Sequence, residues 1–359
     1  MSNQLLKKLN KKLLPSNYLF SPEWIILGVN NVCNLHCKMC DVGTKNMDTN
    51  FAQNLVGTHP LNMPLELIKK IIDQIAMHYP NTKLGYAFTE PLVYPHLEAS
   101  LQYAQQKNIK TSVTTNALTL KHKAKILTHS LSTQICISLD GPQDIHNEIR
   151  GHKKSFQKAI EGIKEVFTLN PKAHVSIFCV ITEWNIGYLK EFLDFFKEYP
   201  LTQIGFMHTN FTKQEIADQH NSIWNTSYPA TASNIDEINI ENFDLELLWT
   251  EMMEIKNDIY NFPVTFSPEI ISKEKLHEFY HKPEKIIGKG CNDIFSNIMI
   301  KSDGSVIPAH GRCYNVTLGN IHEQSLKQIW QSNILKKIRT DLNKAGGLFP
   351  ACSRCCSAF

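Results

Sequence analysis

From residue 24 to about residue 208 the sequence repeats one unit six times: a short apolar run of strand character, then a segment with apolar residues at helical spacing. The strand-like runs lie at 24–29, 84–88, 110–115, 134–139, 174–181 and 203–207. Between them, 64–78 carries Leu67, Ile68, Ile71, Ile72 and Ile75 on one helical face, with Pro64 suited to a first turn. Further helices are expected at 97–107, 121–129, 155–167 and 188–198. Six βα units in succession require a parallel sheet with right-handed crossovers. Such sheets bind ligands beyond the C-terminal ends of their strands, so the residues that follow each strand are where chemistry is expected.

Two polar stretches, 41–63 and 210–242, are too long for simple connections. Each reads equally well as a cover for a site or as a solvated excursion. Beyond them, 243–257 reads as a helix. Apolar residues at 298–300 and 306–307 flank Asp303-Gly304, a hairpin signal. Leu326, Ile329, Trp330, Ile334, Leu335 and Ile338 mark one helix over 325–339. The chain therefore divides into an N-terminal segment (1–23), an α/β core (24–242), a connecting helix and linker (243–287) and a small C-terminal unit (288–359).

The net charge of +3 gives no reason to expect a nucleic-acid partner. No apolar run is long enough for an integral membrane segment, and nothing near the start resembles a signal peptide, so a cytoplasmic location is expected. Lys7, Lys8, Lys11 and Lys12 alternate with Leu5, Leu6, Leu13 and Leu14. This pattern is read first as a solvated helix packed on the main domain and second as a helix for a membrane surface. Ten cysteines are many for a reducing compartment, where clustered thiols point to metal or redox chemistry.

Cys33, Cys37 and Cys40 follow the first strand in the run CNLHCKMC. Three thiolates on one tight loop can hold three irons of a cubane cluster and leave the fourth iron open, as a catalytic site needs. A zinc site completed by His36 or a distant residue, or thiols without metal, are the alternatives by spacing alone. The arrangement resembles the radical S-adenosylmethionine (radical SAM) superfamily, although Met39 stands where an aromatic residue is common. The resemblance implies a partial (β/α)6 barrel. It also implies an open iron that chelates the methionine moiety of S-adenosylmethionine, whose reductive cleavage gives a 5′-deoxyadenosyl radical that abstracts hydrogen. A flavodoxin- or ferredoxin-type electron donor is implied with it.

Further strand ends carry the likeness. Thr89-Glu90-Pro91-Leu92 is similar to the family's Gly-Gly-Glu-Pro, which gives Glu90 the methionine amino group. Phe88 and Thr89 replace the glycines there, so a different local backbone is expected. Thr115-Asn116-Ala117 is similar to Thr-Asn-Gly. The run from Ser138 through Asp140-Gly141-Pro142 to His146 and Arg150-Gly151 resembles members with extra clusters. In those members the matching Ser and Arg contact the ribose or carboxylate of S-adenosylmethionine. The resemblance thus assigns cofactor binding to Glu90, Asn116, Ser138 and Arg150, and Met39 is suited to packing on adenine.

Near the C-terminus, Cys291, Cys313, Cys352 and Cys355 can fully ligate one cluster or one zinc. Cys355 is preferred over Cys356 for its spacing from Cys352. With Leu318-Gly319-Asn320-Ile321 and the helix that follows, this region resembles the SPASM extension or its shortened twitch form, as in butirosin-type aminocyclitol dehydrogenases. Pro308-Ala309 departs from the common Pro-Cys. The cysteine count suggests one auxiliary 4Fe–4S cluster.

The short segment before the first strand and the single auxiliary cluster favour a small polar substrate, such as a sugar, aminocyclitol or nucleotide sugar. Oxidation, dehydration or epimerisation is the expected outcome of an oxidoreductase-type reaction. A ribosomal peptide or protein is the alternative substrate, and a zinc-stabilised binding protein the alternative of another class. Asp140 is a candidate substrate-binding residue; Cys136 and Cys179, on the fourth and fifth strands, are candidate hydrogen-atom donors.

Overall fold

The computed structural model describes residues 3–130, 132–235 and 238–359. A first helix, α1 (Asn3–Leu13), precedes β1 (Trp24–Leu27). Then come α2 (Asn50–Leu55), α3 (Leu65–His78), β2 (Lys83–Tyr86), α4 (Leu97–Gln106), β3 (Thr111–Thr115), α5 (Leu120–Thr128) and β4 (Thr133–Ser138). The core continues with α6 (Gln143–Arg150), α7 (Ser155–Leu169), β5 (His174–Ile181), α8 (Leu189–Phe195) and β6 (Gln203–His208). After α9 (Gln214–Trp224) and α10 (Leu245–Asn257) come β7 (Val264–Ser267) and α11 (Lys273–His281). The C-terminal unit holds β8 (Asn297–Ile300), β9 (Ser305–Pro308), β10 (Gly319–Asn320), α12 (Leu326–Trp330) and α13 (Asn333–Lys344).

One sheet runs through all of it, in the order β10-β9-β8-β1-β2-β3-β4-β5-β6-β7. The strands from β8 to β7 are mutually parallel, and β9 and β10 are antiparallel additions. The six expected strands are present. A seventh, β7, extends the parallel sheet within the segment read as linker, and β8 joins the C-terminal hairpin directly to β1.

Alternation along the strands separates two faces. Ile25, Leu27, Leu84, Val113, Ile135, Ile137, Val175, Ile177, Ile204 and Phe206 point into the main apolar core beneath the helices. From α3, Ile68, Ile71, Ile72 and Ile75 enter that core with no exposed surface. Full burial of side chains of this size is worth about 1.5–3 kcal/mol each. On the other, concave face, Ile26, Met299 and Ile307 form a separate cluster roofed by Phe51 and Leu55 of α2.

Three sequence expectations change. The polar stretch 41–63 contains α2, whose N-cap Thr49 accepts a hydrogen bond from Ala52 N–H. The stretch 210–242 contains α9, with Ile216, Ala217 and His220 buried. The single helix expected over 325–339 is two, because Ser325 and Ser332 each cap a new start. The Ser325 hydroxyl and the Gln328 side chain form a reciprocal capping box.

Candidate functional site

The loop from β1 to α2 carries Cys33, Cys37 and Cys40 and is fastened on three sides. Thr89 Oγ1 donates to Asn30 O at 2.7 Å, and Asn30 Nδ2 donates to Glu90 O at 2.9 Å, which ties the loop to the end of β2. Lys38 N–H donates to Ile149 O at 2.9 Å, which ties it to α6. Asp41 accepts from Ser233 Oγ at 2.6 Å and Asn234 N–H at 3.0 Å. Two glycines let the loop close. A Cβ on Gly43 would lie 2.5 Å from Cys37 O, and one on Gly151, whose φ is +66°, would lie 2.8 Å from His36 O.

Glu90 is buried at the centre of these strand ends. Its Oε1 accepts from Leu92 N–H at 2.9 Å and Thr115 Oγ1 at 2.7 Å, and its Oε2 accepts from Asn116 N–H at 2.8 Å. A carboxylate has about four acceptor positions, so one remains on Oε2. Burial raises the Glu90 pKa, and the hydrogen bonds pull it back. Asn116 Nδ2 donates to Asn34 Oδ1 at 2.8 Å and lies 3.9 Å from Cys33 Sγ.

The local backbone at Phe88 is unusual for a residue with a side chain. Phe88 adopts φ +84°, and Ala117 adopts φ +62°, both in the region that favours glycine. Packing holds Phe88 there: its ring stacks on His310 at 6.1 Å and meets Phe51 edge-on at 6.4 Å.

Asp140 is engaged by the protein itself. It is fully buried, and both of its carboxylate oxygens are engaged. Oδ2 accepts from Arg150 Nε at 2.5 Å and Oδ1 from Val180 N–H at 3.0 Å. It thereby holds Arg150, whose Nη1 lies 3.7 Å from Cys37 Sγ. His146 Nδ1 accepts from Asp140 N–H at 3.0 Å, and burial pulls the imidazole pKa down, keeping it neutral.

Cys136 shares the concave face with Ser138, as alternation predicts. Cys179 does not. Fully buried, it aligns with Val175, Ile177 and Ile181 in the core beneath the helices, and Asn185 Nδ2 lies 3.6 Å from its sulfur. Met39 is buried in the main core, and Ser138 is half-buried at the end of β4.

In the C-terminal unit, Cys291, Cys313, Cys352 and Cys355 line one cavity of about 80 Å³. Cys356 is not among its lining residues. Asn54 of α2 donates to Gly311 O at 2.9 Å and Cys313 O at 2.7 Å, which fixes the loop after β9. Tyr314 Oη lies 3.2 Å from Cys352 Sγ. His310 Nε2 lies 2.8 Å from Ser357 Oγ and 3.7 Å from Cys356 Sγ. Asn50 and Phe51 of α2, with Thr212, Thr231 and Ser233, complete the walls. The two long polar stretches thus meet here: Asn50 N–H donates to Thr231 Oγ1 at 2.8 Å, and Asn50 Nδ2 to Pro229 O at 2.8 Å. None of these wall residues was singled out from sequence, since nothing local distinguishes an Asn or Thr on a polar excursion from a solvated one.

Both cysteine groups offer the thiolate donors that an iron–sulfur cluster takes. Two thiolates on one zinc are at most about 4.6 Å apart. Among the described residues, His310, Cys355 and Cys356 are the one group of three or more whose ligand atoms all lie within 4.8 Å of one another. Burial raises the Cys37 and Cys352 thiol pKa values to about 12, so charge from bound metal is needed to keep them as thiolates.

Residues 28–196 match the family model of the radical SAM superfamily, and residues 291–356 match SPASM, an iron–sulfur cluster-binding domain. The chain belongs to the radical SAM superfamily. Its cofactors are therefore 4Fe–4S clusters and S-adenosylmethionine.

Among curated relatives, this radical SAM chain is 29% identical over 192 residues to a serine-type anaerobic sulfatase-maturating enzyme of Bacteroides thetaiotaomicron. The match covers 50% of this chain and 44% of that protein. It is 24% identical over 204 residues to an Fe-coproporphyrin III synthase of Methanosarcina barkeri, covering 55% of this chain and 48% of that one. The chain thus spans less than half the length of either relative. In fold it is similar to Streptococcus suis SuiB bound to its precursor peptide SuiA, with a TM-score of 0.63 at 19% identity. That likeness covers 98% of this chain and 75% of SuiB.

Proposed function

We propose that this radical SAM enzyme modifies a peptide or protein substrate by abstracting a hydrogen atom from one of its residues. The observation that carries this reading is the match to the sulfatase-maturating enzyme. The likeness to SuiB, solved with a precursor peptide, agrees with it. The small polar substrate expected from the short N-terminal segment finds less support. A small-molecule reading keeps the weaker match to Fe-coproporphyrin III synthase, which does not point to a sugar or aminocyclitol.

We assign the S-adenosylmethionine-binding cluster to Cys33, Cys37 and Cys40, and one auxiliary cluster to Cys291, Cys313, Cys352 and Cys355. When bound and reduced, the first cluster and S-adenosylmethionine together supply a 5′-deoxyadenosyl radical. The chain's own residues do the positioning. The free acceptor position on Glu90 Oε2 suits the methionine ammonium, and Arg150, held by Asp140, places a guanidinium beside Cys37. Asn116 and Ser138 lie at the neighbouring strand ends. Phe51 and Leu55 of α2 cover the concave face against water. A substrate oxidation and a flavodoxin- or ferredoxin-type electron donor complete the proposal.

The test is anaerobic reconstitution followed by 5′-deoxyadenosine assay after reduction. Short Ser- or Cys-containing peptides are offered in parallel with sugars, aminocyclitols and porphyrins. Peptide-dependent stimulation with a mass change in the peptide is expected. Stimulation by a small molecule alone would overturn the reading.

A further inference from the structure

The helix α1 is mounted with its polar side inward. Asn10 is its one buried residue among those described. Asn10 Nδ2 donates to Leu14 O and Asn17 O at 3.1 Å, and its Oδ1 accepts from Leu19 N–H at 2.9 Å. Lys7 pairs with Glu23 at 2.7 Å, and Lys11 donates to Asn292 Oδ1 at 2.9 Å. Both ammonium groups lie over aromatic rings, Lys7 Nζ 5.8 Å from the Phe20 centroid and Lys11 Nζ 5.4 Å from that of Phe295. The i, i+3, i+4 set Lys7, Asn10 and Lys11 is therefore the docked face.

The face beside it is apolar and open. Leu6, Leu9 and Leu13, at i, i+3 and i+7 spacing, are 44%, 39% and 68% exposed. A ridge of Lys8 and Lys12 runs beside them, and neither has an ion-pair partner among the described residues. A surface helix ordinarily turns its apolar stripe to the core and its charges to water. Here that order is reversed, which leaves a leucine stripe flanked by free cations.

We propose that α1 is a peripheral membrane-docking helix, its leucines entering the headgroup boundary of an anionic lipid surface and Lys8 and Lys12 contacting the headgroups. Charge decides among occupants. Helix α1 carries four lysines and no acidic residue, so the α1 of a second copy would bring like charges together. An anionic surface instead complements both the stripe and its cationic edge. The contact is a surface one: among the described residues no helix is long and apolar enough to cross a membrane.

The experiment is sedimentation of the full chain with vesicles of phosphatidylcholine, with and without phosphatidylglycerol, beside analytical ultracentrifugation without lipid. Partitioning about thirtyfold stronger on the anionic vesicles is expected from two lysines at the surface. It should weaken with salt, fall to the neutral-vesicle level in Lys8→Gln/Lys12→Gln, and vanish in Leu9→Glu/Leu13→Glu. These side chains are exposed, so the thermal midpoint of the variants checks that the fold is kept. Equal binding to both vesicle types, or none, overturns the proposal. So does a lipid-free dimer that the leucine variants dissociate, or an acidic peptide that displaces nothing from lipid yet binds the stripe.

Discussion

The two cysteine groups are built by opposite means. Cys33, Cys37 and Cys40 lie on one loop, whose shape is set by neighbouring strand ends and two glycines. Cys291, Cys313, Cys352 and Cys355 come from separate segments, which converge only because α2, α9 and the β8–β9 hairpin pack around them. The first group is a local structure that the fold supports. The second is a tertiary structure that a bound group would in turn staple. Loss of a ligand should therefore be read mainly in chemistry at the first site and mainly in stability at the second.

The largest contrast is expected between Cys33→Ala and Cys313→Ala. The first should reduce 5′-deoxyadenosine formation to background, whereas the second should lose part of the bound iron yet retain uncoupled cleavage, both read by product assay and iron content. Next comes Arg150→Met, which leaves Asp140 buried without its cation. A loss of about 3–5 kcal/mol in denaturant unfolding is expected, far more than for exposed pairs such as Lys38–Glu148. Iron removal sharpens the comparison further. By the loop-closure logic of a cross-link, emptying the C-terminal site should cost about 2–4 kcal/mol. Limited proteolysis should then cut first beyond residue 288.

A smaller effect is expected where the C-terminal end of α6 meets the first loop. Gly151→Ala forces a Cβ onto His36 O at positive φ, and about 1–2 kcal/mol of stability should be lost, seen in the thermal midpoint. The smallest is Cys356→Ala, which should leave the iron content unchanged if Cys355 is the fourth ligand. A fall in iron equal to that of Cys355→Ala would reverse that assignment.

Much of this was legible in the sequence because it is encoded at short range. Strands β1 to β6 and helix α3 follow from apolar period, and the triad from its spacing. The turn at Asp303-Gly304 is likewise local, with Gly304 at φ +79°. Strand β7 was not legible: four residues after Pro263, with Val264 and Phe266 on one face, carry too little pattern without β6 beside them. Helix α9 was hidden because its buried side, including His220 against Tyr314, is partly polar. Likewise, Phe88 and Ala117 both adopt a positive φ that side-chain preference alone would not predict, and at Phe88 the His310 and Phe51 rings pack against it.

By itself, the sequence determined which residues could ligate metal and, for the first group, which strand end they follow, since both depend on local order along the chain. Only the tertiary structure decided what surrounds them. It turned Asp140 toward Arg150, placed Cys179 under the helices, and closed two polar excursions into one wall. It also left the leucines of α1 facing out. Each of these depends on contacts between residues far apart in the chain, where burial and pairing outweigh local preference.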